Sequence, residues 1–202
     1  MKKMSRSKMI AYGLPGLATL FTFTMFTTYG LYFFTDVVGL SASFAGMIVT
    51  IGTFWDAITD PLIGTISDNR DPKKGRRRPF LLISAIPFGV ITWLLFTSWD
   101  LGELQQKIYF IIVVLLFYTV QTTTDVPYTS LSGEVTDDYN KRSQLAMIRT
   151  FWATVGVAIG GGVMAYTSYL TPIVGGKRQA WSCCFAIFGL ICTLSILIGW
   201  YA

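Results

Sequence analysis

Apolar residues run through this chain in six long blocks, at about 10–34, 42–66, 80–97, 107–131, 144–169 and 180–200, parted by short polar segments. Each block reaches the ~18 residues that read as a membrane-spanning helix, and the ten-residue alternation of an outer-membrane strand is absent. The pattern predicts an all-α membrane protein whose residues 1–202 form a single six-helix bundle. Block one follows MKKMSRSK and is too long for the apolar core of a signal peptide, with no small-residue cleavage site. Its Thr and Gly residues, Gly13, Gly16, Thr19, Thr22, Thr24, Thr27, Thr28 and Gly30, suit close helix packing or a polar face toward a cavity. Ser41 or Ser43 can cap the second helix, and Pro79 stands near the first position of the third, where its missing N–H does no harm. Gly156, Gly160, Gly161 and Gly162 offer close-packing positions in the fifth.

Composition agrees with that pattern. Hydrophobic residues make up 52% and charged residues 13%, against the ~25% charged of a soluble domain, and mean hydropathy is +0.54. A net charge of +5 could point to nucleic acid, but the cations sit in short segments flanking apolar blocks, so topology accounts for them and no nucleic-acid partner is expected. Of sixteen Lys and Arg, twelve fall on the amino terminus and the second-to-third and fourth-to-fifth loops, and three on the other side. The positive-inside rule then places both chain ends in the cytoplasm of a multi-pass cell-membrane protein, in contact with lipid. The absence of His excludes imidazole acid–base chemistry and His metal sites, and Cys183, Cys184 and Cys192 fall in the last block without metal or disulfide spacing. No nucleophile–base pair, phosphate loop or metal set suggests an enzyme, and no cofactor is expected.

One stretch carries the chemistry: TFWDAITDPLIGTISDNRDPKKGRRRP, residues 53–79. Asp56 and Asp60 stand four apart inside an apolar block, on one helix face, where an Asp costs roughly 2.5–3.5 kcal/mol unless it faces a cavity and binds something positive. Asp125 is a third intramembrane acid and Arg149 an intramembrane base. Three acids against one base leave negative charge for Na⁺, Li⁺ or a proton to neutralise, unless an acid sits at the interface or pairs with a helix end. After the acids, Gly64 would let another helix approach, Asp68 would close the helix, and the cluster of Arg70, Arg76, Arg77 and Arg78 around Gly75 would bridge acids and helix carbonyls in one conformation and release them in another. The plain alternative is a basic loop held on anionic headgroups.

WDAITDPLIGTISDNRDPKKGRRRPF, with the preceding YFFTDVVGL, DVPYTSLSGEVT and Arg149, resembles the glycoside-pentoside-hexuronide:cation symporters, the melibiose-carrier family of the major facilitator superfamily. The resemblance covers essentially the whole chain. It implies the N-terminal half of a major facilitator fold, a 3+3 inverted repeat, working with a C-terminal six-helix half from the same gene or a second chain. It further implies symport of a glycoside, pentoside or hexuronide with Na⁺, Li⁺ or H⁺. Residue by residue, it assigns Asp56, Asp60, Thr122 and Asp125 to the cation, with the three carboxylates as ligands if the ion is a metal. It assigns Asp125, Tyr128 and Arg149 to the sugar, Tyr128 as the ring on which the sugar packs. Leu20 stands where the melibiose carrier has a sugar-binding Asp, and Thr59 where it has Asn, which puts melibiose and Na⁺ preference in question. Family members have about twelve spans where this chain has six, so a fragment, a paired half and an inactive remnant are the options. The missing tail after helix six favours truncation. The alternative function is a non-transporting half that serves as partner subunit or scaffold.

Overall fold

The computed structural model describes residues 6–69, 77–135 and 138–201, the side chains of 132–135 excepted. Eight α-helices and one π-helical turn make up the described chain: α1 (Arg6–Gly13), α2 (Pro15–Tyr32), the π turn (Phe33–Val38), α3 (Ala42–Asp68), α4 (Arg78–Leu95), α5 (Glu103–Val135), α6 (Tyr139–Gly161), α7 (Val163–Val174) and α8 (Lys177–Tyr201). Among the described residues, five spans are long and apolar enough to cross a membrane, six if the bent pair α6–α7 is one.

Where a continuous first helix over 10–34 is expected, the chain is helical from Arg6 to Val38 but interrupted twice. Pro15 opens α2 and breaks the ladder behind it, so that Leu14 bonds back to Ala11 and Leu17 back to Leu14. At the far end the π turn closes on Gly39, whose φ of 91° is available to glycine at no steric cost. Arg178 of α8 satisfies the turn's last carbonyls, donating to Val37 O (3.2 Å) and Val38 O (2.9 Å). Ser41 caps α3 by accepting from the Phe44 amide. Pro127 does not interrupt its helix: α5 runs through it, beginning at Glu103 and ending at Val135, beyond both ends of the expected 107–131.

The fifth helix expected over 144–169 is instead two, α6 and α7, which together run from Tyr139 to Val174 and meet at a 45° bend at Gly161–Gly162, where no side chain stiffens the turn. The other two glycines of that run do serve as packing positions: a Cβ on Gly156 would fall 2.7 Å from the Leu17 carbonyl, and one on Gly160 would overlap Met25. Likewise α4 and α8 cross with Gly89 and Gly189 backbone to backbone. A buried aromatic cluster, Phe33, Phe34, Phe96, Phe110, Trp181 and Phe185, fills the end of the bundle near the π turn, Phe96 and Phe185 stacked at 3.8 Å. This packing sets α4 and α8 behind the bundle and leaves α2, α3, α5 and α6 to face one another.

Candidate functional site

Those four helices wall a cavity of about 390 Å³. Gly16, Thr19, Leu20 and Phe23 come from α2, Asp56 and Asp60 from α3, Gln121, Thr122, Asp125, Val126 and Thr129 from α5, and Arg149, Thr150 and Ala153 from α6. The three intramembrane acids and the one base are thus brought together from three helices.

On the α3–α5 side, the Thr122 hydroxyl donates to Asp56 Oδ1 (3.0 Å) and lies 3.5 Å from the buried Thr59 hydroxyl. Thr59 in turn donates to the Asp56 carbonyl (3.2 Å). Asp60, one turn along, shares the cavity-facing side of α3 and is exposed. Among the described residues no three acidic, Cys or His groups converge tightly enough to hold a metal ion by themselves. A bound cation would therefore take a mixed oxygen shell, Asp56 or Asp60 with the Thr122 hydroxyl and water, as hard cations accept.

On the α2–α6 side, Asp125 faces Thr19 and Arg149. Arg149 reaches the cavity because Gly16 has no side chain: a Cβ there would sit 2.9 Å from Arg149 Cγ and 2.9 Å from its carbonyl oxygen. Its guanidinium lies over the Tyr128 ring, 5.9 Å from the centroid. No ion pair among the described residues joins Arg149 to Asp125, so a hydrogen-bond acceptor and a fork of donors both stand open to the cavity, the pairing a polyol's hydroxyls use.

Tyr128 is not a cavity wall. Its ring is 1% exposed, packed on Tyr12 at 5.6 Å, and its hydroxyl donates to the carbonyls of Tyr12 (2.9 Å) and Gly13 (3.2 Å) at the break before Pro15. The residue one turn from Asp125 that does face the cavity is Thr129, and the only lining aromatic among the described residues is Phe23 of α2. The stacking role expected of Tyr128 gives way to a structural one, holding the α1–α2 break against α5 and lying under Arg149.

Gln121, overlooked in the sequence, spans from α5 to α2: its amide donates to the Thr19 carbonyl (3.0 Å) and its oxygen accepts from Thr22 (3.2 Å). An amide in an apolar block was the signal that could have found it.

At the end of α3, Arg77 connects three helices. It pairs with Asp68 (2.5 Å), the last residue of α3, and donates to the Ser130 carbonyl of α5 (2.8 Å) from its place just before α4. Arg78 opens α4 and is exposed, while Arg70, Gly75 and Arg76 lie outside the described residues. Gly64 faces Val126 at an ordinary 3.9 Å, so the close approach expected there occurs instead at Gly52, where a Cβ would overlap the Tyr118 ring.

Residues 11–202 match the family described as MFS/sugar transport protein. The chain is 36% identical over 200 residues to the putative glycoside/cation symporter YagG of Escherichia coli, covering 97% of this chain and 41% of that protein. It is 32% identical over 191 residues to the uncharacterized symporter YnaJ of Bacillus subtilis, covering 94% and 41%. It is 29% identical over 153 residues to the isoprimeverose transporter of Lactiplantibacillus pentosus, covering 76% and 32%. These relatives are transporters, not enzymes, and the chain spans about two fifths of the length of the first two.

Proposed function

The chain belongs to the MFS/sugar transport family, the glycoside-pentoside-hexuronide:cation symporters, and on that premise we propose that it forms the N-terminal half of a cation-coupled sugar symporter. The observation that carries the proposal is the single cavity in which Asp56, Asp60, Asp125 and Arg149 meet. Asp56, Asp60, Thr122 and Asp125 receive Na⁺, Li⁺ or H⁺; Asp125, shared between the two sites, and Arg149 hold a glycoside, pentoside or hexuronide; and the site closes against a C-terminal half.

The chemistry follows from the charges. Three carboxylates repel one another in a low-dielectric cavity, so a cation entering beside Asp56 relieves the repulsion and leaves Asp125 free to accept hydroxyls. Sugar binding and cation binding then favour each other, which is what coupling requires. Leu20 and Ala153 supply apolar wall, and Phe23 a ring face for the sugar's C–H surface. The names of two relatives, an isoprimeverose transporter and a putative glycoside/cation symporter, support a glycoside as substrate. The two termini facing the cytoplasm rest on the distribution of cations.

The test is uptake of labelled glycosides into vesicles bearing the full-length protein, under imposed Na⁺, Li⁺ or pH gradients. Uptake driven by one of these gradients and abolished by Asp56→Asn supports the reading. A folded protein that neither moves nor binds any glycoside, uronide or pentoside under all three gradients leaves the non-transporting half as the better description.

A further inference from the structure

Away from the cavity, α1 and α6 run so close that a Cβ on Gly13 would lie 2.7 Å from Ile148 Cγ2. Along the flank of this crossing lies a furrow with two lobes, of about 330 and 390 Å³, that share Ile10, Met147 and Ile148. One lobe is bounded by Arg6 and Gln144, the other runs on to Phe151 and Trp152. Ile10, Met147 and Phe151 are exposed, and Arg6 makes no ion pair among the described residues. From Gln144 to Trp152 the helix rises about 12 Å. The furrow is therefore apolar along its length with Arg6 and Gln144 at one end, its mouth, and that end lies on the side of the chain that carries twelve of the sixteen cations.

We propose that this furrow binds an anionic phospholipid, its phosphate on Arg6 and Gln144 and one acyl chain laid along Ile10, Met147 and Phe151. A helix lying over the furrow would have to bury the exposed Arg6 against an acid of its own. A phospholipid brings a phosphate and an acyl chain together in one molecule, and guanidinium recognises phosphate with paired, charge-assisted hydrogen bonds. The inference rests on the membrane-spanning reading alone and is independent of what the protein carries.

The experiment uses the full-length protein, delipidated in detergent and titrated with phosphatidylglycerol, phosphatidylcholine or inorganic phosphate, with native mass spectrometry counting retained lipid. Phosphatidylglycerol should bind about fivefold tighter than phosphatidylcholine, the equivalent of ~1 kcal/mol for one cation at an anionic surface. Arg6→Ala should erase that preference and Arg6→Lys should keep most of it. Met147→Trp, which fills the furrow, should weaken both lipids alike, and inorganic phosphate alone should fail to compete. Arg6 is exposed at the start of α1, so its variants are expected to fold, and a size-exclusion profile checks this. Equal retention of the two lipids, full competition by phosphate, or insensitivity to both Arg6→Ala and Met147→Trp would overturn the proposal. So would efficient disulfide crosslinking of Met147→Cys to the C-terminal part of the protein that added phosphatidylglycerol does not reduce, because the furrow would then be a helix interface.

Discussion

In the proposed symporter, removing Arg77 should change how fast transport turns over and leave binding almost untouched. The side chain is 15% exposed, and two of its contacts differ in worth: a 2.8 Å hydrogen bond to the Ser130 carbonyl and a 2.5 Å pair with Asp68, whose own side chain is 60% exposed. A charged donor on a half-buried carbonyl contributes ~1.5–3 kcal/mol. An ion pair with so exposed a partner adds only ~0.2–1 kcal/mol. If both contacts break when the bundle rocks, Arg77→Ala shifts the balance of states by about 2–4 kcal/mol, or roughly 30–900-fold, whereas Asp68→Asn shifts it by at most about fivefold. Asp68 lies eight residues from Asp60, about 12 Å along α3 and beyond a Debye length of ~8 Å at physiological salt, so the direct electrostatic effect on the cavity is small. Uptake into vesicles and equilibrium sugar binding in detergent, measured side by side in the full-length protein, separate the two effects. Arg77→Ala should slow uptake by an order of magnitude or more with sugar affinity within a few-fold, and Asp68→Asn should do markedly less. If Asp68→Asn is as damaging as Arg77→Ala, or if binding collapses with uptake in a folded protein, the contact does not act as a latch between states.

Other substitutions report on the cavity and its supports. Gly16→Ala places a methyl 2.9 Å from Arg149 Cγ and carbonyl, and displacing the arginine should weaken sugar binding by ~1–3 kcal/mol with cation protection unchanged; Gly46→Ala, with nothing within 4 Å, is the control, and calorimetry reads both. Asp125→Asn should impair cation and sugar binding together, whereas Asp60→Asn should act on the cation; equal loss of sugar binding in both, with no cation present, refutes that division. Tyr128→Phe leaves the Tyr12 and Gly13 carbonyls without the hydroxyl and should cost ~1–3 kcal/mol of stability by thermal unfolding, yet leave sugar affinity largely intact; a selective loss of affinity would return the ring to the binding site. Gly89→Ala, driven into the Gly189 backbone, should lower the unfolding temperature more than any of these, and an unchanged temperature would contradict the close crossing of α4 and α8.

The apolar blocks, the Ser41 cap and the placing of Asp56 and Asp60 on one face of a spanning helix are local facts, set by segment length and by the i, i+4 period of the helix. The amino-acid sequence alone determines them, and with them the class of the protein and the presence of acid at membrane depth. Phase around a helix is not local. Neighbours differ by 100° about the axis, so whether Tyr128 or Thr129 lines the cavity turns on how α5 is rotated by its contacts, and the pull of the Tyr12 and Gly13 carbonyls at the Pro15 break decides for a buried Tyr128. In the same way a glycine in a span announces only that something can come near. Packing chose Gly52 over Gly64 for the approach of α5, and Gly16 for the passage of Arg149, because it is the long-range partner, absent from the local sequence, that fills the missing side chain's space. The meeting of Thr122 with Asp56 across sixty-six residues belongs to this second kind: it exists only once α4 and α8 have packed behind the bundle and turned α3 and α5 face to face.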